Sequence, residues 1–197
     1  METRRRIWTP DRPKLEVPLP ILMRATLRHW DKDGRLLWQA RDLENILHDT
    51  GAEYLLSACF ATAFANFGAP PANVYLGLDN RTTPGQTDTL ASLSGENALG
   101  SYGYSRLALI TGGTGAGGQD FVLAKATYWA ATSKTVEWTC ATQAWTAVKQ
   151  LFLATDPTAV ADASGKHLIC TVALQGTRTL LVGDKLDASI ILTPSGG

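Results

Sequence analysis

Apolar and polar residues alternate in two short runs near the start of the chain. Met23, Ala25 and Leu27 alternate with Arg24, Thr26 and Arg28; further on, Leu36, Trp38 and Ala40 alternate with Arg35, Gln39 and Arg41. A period of two sends one set to a buried face and the other outward. Asp33-Gly34, between the runs, tolerates the positive φ of a tight turn. The pattern predicts a β-hairpin over 21–41. The period then changes. Leu56, Phe60, Phe64 and Phe67 form one stripe at helical spacing, and Thr50-x-x-Glu53 ahead of them has the form of a capping box. Gly68 can close the helix and Pro70-Pro71 forbids its continuation, so a helix is predicted over 50–67. A Phe stripe of this kind packs on a sheet more often than it lines a ligand pocket.

From residue 74 onward the pattern is that of strands: 74–79, 105–110, 119–130, 134–140, 147–154, 167–174, 179–182 and 186–193. In 134–140, Val136, Trp138 and Cys140 alternate inward against Thr135, Glu137 and Thr139. A polar loop fills 81–103, with a helical turn expected near Asp88–Leu93. Short strands punctuated by Gly, Pro, Asp and Ser define a sandwich or barrel. The predicted fold is mainly β: an antiparallel β-sandwich or jelly-roll-like domain over 21–197, with one capped helix.

Residues 1–20 read differently. Pro10, Pro13, Pro18 and Pro20 fix φ and remove backbone donors, which makes this stretch an extended arm. Trp8 in such an arm has no core of its own to enter, so it is a candidate interface anchor, or else it folds back on its own domain. Arg4, Arg5 and Arg6 join it as candidate contacts, with Trp30 and Trp38 flanking the hairpin. The 18 Lys and Arg balance 18 Asp and Glu, so the chain lacks the basic surplus of a dedicated nucleic-acid binder. No run of 18 apolar residues spans a membrane, and no apolar segment follows the first charges as in a secretory signal. Assembly in a cytoplasm is the expectation.

The stretch ITGGTGAGGQDF contains Gly113-x-Gly115-x-x-Gly118, the spacing of a dinucleotide loop. That loop works only where a helix follows and offers its N-terminus to the pyrophosphate. QDFVLAKATYW carries no caps and no helical period, so the glycines predict a hairpin tip instead. Cys140 with His167, and the His167-x-x-Cys170 spacing, are arithmetically open to catalysis or metal binding, but nothing activates the thiol or completes a ligand set. Cys59, Cys140 and Cys170 read as small buried residues, and His29 and His48 as structural. Glu96, Asp184 and Asp187 are the carboxylates a glycosidase would draw on; Asp187 points outward by alternation. No catalytic, cofactor-binding or metal-binding residue is assigned. The expectation is a non-enzyme without a small-molecule ligand.

The helix and the segments VYLGLD, GENALGSYGYSR and TRTLLVGDKLDASIIL, in this order, resemble a family of accessory virion proteins of tailed bacteriophages. The best-matched residues are Gly103-Tyr104-Ser105-Arg106 and Arg178 through Leu186; the likeness covers about 43–193. It implies a capsid-decoration, tail, baseplate or fibre-base subunit located in the virion, whose partners are other virion proteins and copies of itself as a homo-oligomer. Two alternatives stay open. One is a carbohydrate- or receptor-binding module using Trp129, Tyr102, Tyr104 and the glycine loop. The other is a glycan hydrolase using Glu96 or Asp184.

Overall fold

A computed structural model describes residues 21–60, 72–93, 95–96, 101–111, 120–126 and 129–194. The strands are β1 (Ile21–Trp30), β2 (Leu36–Leu47), β3 (Asn73–Asp79), β4 (Leu107–Ile110), β5 (Phe121–Lys125), β6 (Trp129–Ser133), β7 (Val136–Thr139), β8 (Trp145–Ala154), β9 (Leu168–Leu180) and β10 (Lys185–Pro194). One helix, α1 (Asp49–Phe60), and a 3-10 turn at Leu90–Ser92 complete the described elements. The fold is mainly β and antiparallel. All ten strands belong to one sheet, in the order β4-β3-β8-β9-β2-β1-β10-β6-β5, with β7 also on β10. That sheet is nearly closed into a barrel.

Bent strands let one sheet wrap a core. β2 pairs with β1 up to Glu44 and with β9 from Asn45 to Leu47. The bend falls at a bulge where Asp42 has φ 53°. The two predicted strands 167–174 and 179–182 are one strand, β9, carried through a bulge with Gly176 at φ 89°. An extra residue in one strand of a pair sharpens twist and turns the corner. The predicted strand 119–130 is instead the β5–β6 hairpin, closed by Lys125 opposite Trp129. The inward set of the first hairpin is as its alternation requires, with Met23, Ala25 and Leu27 buried. Leu36 departs from it: a register shift between His29 and Trp30 sets it opposite the outward Trp30, and it stands 46% exposed.

The core gathers Met23, Leu27, Leu76, Trp145, Leu151 and Leu186 among its fully buried members. Helix α1 packs against β9. Its first bond runs from Ala52 N–H to the His48 carbonyl, 2.8 Å, so the chain enters the helix at His48. Thr50 therefore sits within the first turn, and its hydroxyl donates to Leu168 O at 3.0 Å rather than capping. Gly51 abuts the Ile169 backbone, where any Cβ would collide. Tyr54 and Leu55 roof an apolar cavity of about 120 Å³ with Met23, Val74, Cys170 and Leu192. The side chains of the expected stripe, Leu56, Phe60, Phe64 and Phe67, lie outside the described residues, as does the expected stop at Gly68.

The two ends of the strand order, β4 and β5, face each other across a seam. Asp120 holds one end of it: its N–H donates to Ile110 O (3.0 Å) and its carboxylate accepts from Ile110 N–H (2.8 Å). Residues 112–119, with the three spaced glycines, lie outside the described residues. The segment after them is strand β5, so the chain leaves the glycines into a sheet edge and not into a helix. Among the described residues the flanking strands β4 and β5 form no ladder and meet only at Ile110 and Asp120.

Candidate functional site

Gly77, Glu96, Tyr104, Arg106 and Phe152 form one connected cluster. Gly77 in β3 faces Phe152 in β8, and the Phe ring occupies the space a Cβ would need. The Arg106 guanidinium lies 5.1 Å over the centre of that ring. Arg106 Nε donates to Glu96 Oε1 at 3.0 Å and Nη2 to Oε2 at 2.7 Å, a bidentate pair with 0% and 6% of the two side chains exposed. The remaining donors meet Asp156 O and Ala159 O. Tyr104, fully buried, donates its hydroxyl to Glu96 Oε1 (2.8 Å) and accepts from Leu78 N–H (2.7 Å). Burial first, then the Glu96 charge, push the Tyr104 phenol well above its ordinary value. The chain reaches Tyr104 through Tyr102 and Gly103, both with positive φ. Glu96 is thus a strut with its oxygens taken, tying the long loop to the sheet, and not a free acid.

The carboxylates of the last turn and strand are also engaged. The turn Leu181–Asp184 carries Gly183 at φ 94°, and Asp184 Oδ2 accepts from Leu181 N–H at 2.9 Å. The same oxygen sits 3.1 Å from His29 Nε2. Asp187 lies on the opposite face, as its alternation requires. There it is covered, accepting from Arg28 Nε and Trp30 Nε1, both at 3.0 Å. The two carboxylates therefore serve different partners and form no acid–base pair. Cys140 donates to Gln143 O and Leu180 O, beside the C-terminal end of β9, whereas His167 precedes its N-terminal end near Asp162. The chain does not bring Cys140 and His167 together. Burial raises the Cys140 thiol and pushes Cys170 up to about 12, which keeps both protonated. Among the described residues no group of three or more His, Cys, Asp or Glu is placed to hold a metal ion.

Pattern reading missed a third polar cluster entirely. His48 is fully buried; Nδ1 donates to Gly85 O at 2.9 Å and Nε2 meets the Thr171 hydroxyl at 2.7 Å. Desolvation lowers its pKa below the ordinary value, against the opposing pull of the Gly85 carbonyl. Beside it Arg81 bridges Asp79 and Asp88, each at 2.6 Å, and Asp88 also accepts from Gly85 N–H. The only sequence signal was His48 directly ahead of the helix. This cluster welds the loop after β3 to the entrance of α1.

Exposed apolar side chains stand elsewhere. In the β5–β6 hairpin, Phe121, Leu123 and Lys125 face the same side as Ser133, Ala131 and Trp129. Phe121 packs on the core and Ser133 is buried, so this is the inner face. Yet Leu123 is 65% and Trp129 56% exposed, and Val122 on the other face is 69% exposed. The hairpin projects past the core with both faces uncovered. A second set, Leu36 and Leu37 at the start of β2 and Leu181 and Val182 in the turn before β10, is exposed at the other end of β1 and β10. Trp30 and Trp38 are engaged within the chain: Trp30 is half-buried on Asp187, and Arg178 stacks on Trp38 at 4.2 Å from the ring centre. Trp8, Arg4, Arg5 and Arg6 lie outside the described residues.

No family model, curated protein or solved structure matches the chain. Among the described residues, no helix is long and apolar enough to cross a membrane.

Proposed function

We propose that this chain is a structural component of a tailed-phage virion, a capsid-decoration protein or a tail or baseplate subunit. It acts through repeated contacts with copies of itself and with other virion proteins, after assembly in the host cytoplasm. The observation that carries this reading is the uncovered β5–β6 hairpin: Val122 and Leu123 lie exposed on the edge strand, with Trp129 exposed on β6 beside it. Exposed apolar surface along an open edge suits association with another protein. The motif residues support it by what they hold. Glu96, Arg106 and Asp184 build loops and turns, the work of a scaffold. The reading assigns no catalysis, cofactor or nucleic-acid partner. Density-gradient fractionation of a native lysate, with gold-labelled antibody on the particles, tests it. Label on heads or tails is expected; protein confined to the soluble fraction would overturn it.

A carbohydrate- or receptor-binding role is the second reading, favoured by the exposed rings of Tyr102 and Trp129. Tyr104 takes no part in it, being buried in the Glu96 cluster. A glycan array in which Trp129→Ala abolishes a hit would support this role.

A further inference from the structure

We propose that the open edge of β5 receives residues 15–19 of a second copy of the chain as an added strand. The inference rests on the structural reading above and names the contact through which copies would join.

The edge defines what fits. Among the described strands β5 has one hydrogen-bonded neighbour, β6; past Asp120, which bonds Ile110, its other side pairs with no described strand. Its inner face is apolar and uncovered at Leu123, with Trp129 beside it. A suitable occupant is an extended segment with a free row of backbone donors on one side and apolar side chains on one face.

The sequence Leu15-Glu16-Val17-Pro18-Leu19-Pro20 meets both demands. In an extended chain, alternate residues direct their backbone N–H and C=O to opposite edges. Leu15, Val17 and Leu19 share one edge, and all three keep their N–H. Pro18 and Pro20 fall on the other edge and have none to offer. Such a segment pairs on one side and refuses pairing on the other. It would complete an exposed edge and stop there, which is how natural sheets prevent runaway addition. Leu15, Val17 and Leu19 also present one apolar face, matching Leu123 and Trp129.

Chain length selects a second copy. Across the sheet, Met23 aligns with Leu192, Ala131 and Leu123, three strand spacings in all. That is ~14 Å. Leu19 is two residues from Ile21, a span of at most about 7 Å. A chain cannot lay residues 15–19 along its own β5.

The test uses the full chain. Leu123, exposed on the hairpin, is replaced by the photocrosslinker p-benzoylphenylalanine in unlabelled protein, which is mixed with ¹⁵N-labelled unmodified protein. The expected product joins light residue 123 to the heavy tryptic peptide Leu15–Arg24. In sedimentation, Val17→Pro should weaken self-association by roughly tenfold, the scale of one lost ladder bond. Glu16→Pro, on the edge that already carries the prolines, should change it far less. Cross-links of residue 123 to light arm peptide alone would overturn the second-copy assignment. An oligomer whose cross-links avoid 15–24 would overturn the strand addition and leave the structural reading standing. A chain that is monomeric and absent from particles would overturn both.

Discussion

The Glu96–Arg106 cluster and the β5–β6 hairpin are built from similar material and treat it in opposite ways. Phe152 in the cluster faces away from the main core, beneath the loop that carries Leu90 and Leu93, whereas Leu123 and Trp129 lie on the inner face of their strands. In the cluster every group meets a partner: Phe152 fills the space at Gly77, Arg106 covers Phe152, and Glu96 and Tyr104 complete the donors and acceptors. In the hairpin the inner face runs out of core, and Leu123 and Trp129 face outward space. The lesson is that inward alternation states where a side chain points and not what covers it. The cluster spends its chemistry on the fold, and the hairpin leaves its surface for something else.

Substitutions separate the two regions most sharply where charge is buried. Arg106→Met should cost about 3–5 kcal/mol, because Glu96 is left as a buried carboxylate without its counter-ion. Combining it with Glu96→Leu should restore much of that loss, since removing both charges leaves nothing uncompensated. Urea unfolding of the two single variants and the double reads this directly. A small loss in Arg106→Met would mean that the cluster is not the strut described. Next in size, Gly77→Ala should cost roughly 1–3 kcal/mol, as the added methyl drives against the Phe152 ring. Tyr104→Phe should cost about 1–3 kcal/mol, leaving the buried Leu78 N–H without an acceptor, and the same unfolding assay measures it.

These positions also mark how far the sequence was legible. Alternation placed Met23, Ala25, Leu27, Val136, Trp138 and Cys140 inward, and all six are buried. Periodicity reports side-chain direction one strand at a time, so it fails where elements meet. Gly176 reads as a break, yet it is a bulge that lets β9 continue around a corner. The turn within 119–130 contains neither Gly nor Pro, so nothing local announced it. The helix entrance shifted because the Thr50 hydroxyl had a tertiary partner in Leu168. Gly103-Tyr104-Ser105-Arg106 stood out as a motif, but its meaning did not, because Arg106 is satisfied by carbonyls about fifty residues away. The edge at β5 was hidden for the same reason: strand order is a property of the whole sheet.

His48 gives a subtler contrast, one read by pH. Its pKa in the folded chain is lowered by desolvation, so the unfolded chain binds the proton first as pH falls. Its contribution is fully present above the unfolded value of about 6.5 and is lost as pH falls through the lowered folded value. Asp88 acts in a lower window. Burial works to raise it, but Gly85 N–H and Arg81 together bring it below the ordinary carboxylate value, so its support is lost only in stronger acid. Urea midpoints between pH 7 and 5 should fall in the native chain and flatten in His48→Asn. An unchanged slope in the variant would mean that His48 is not the titrating group.

The smallest expected effect on stability is at the hairpin, and it carries the most functional meaning. Leu123→Ser and Trp129→Ser should each shift unfolding by no more than about 0.5 kcal/mol, because side chains already exposed lose little burial on replacement. Both should nevertheless weaken self-association or particle binding, since exposed apolar groups gain burial only when a partner arrives. The pair of readouts is decisive because the Arg106 cluster predicts the reverse order: large loss of fold, with association affected only through folding. If Leu123→Ser instead cost several kcal/mol in the isolated monomer, the hairpin would already be covered within its own chain. The division between a closed cluster and an open edge would then fail.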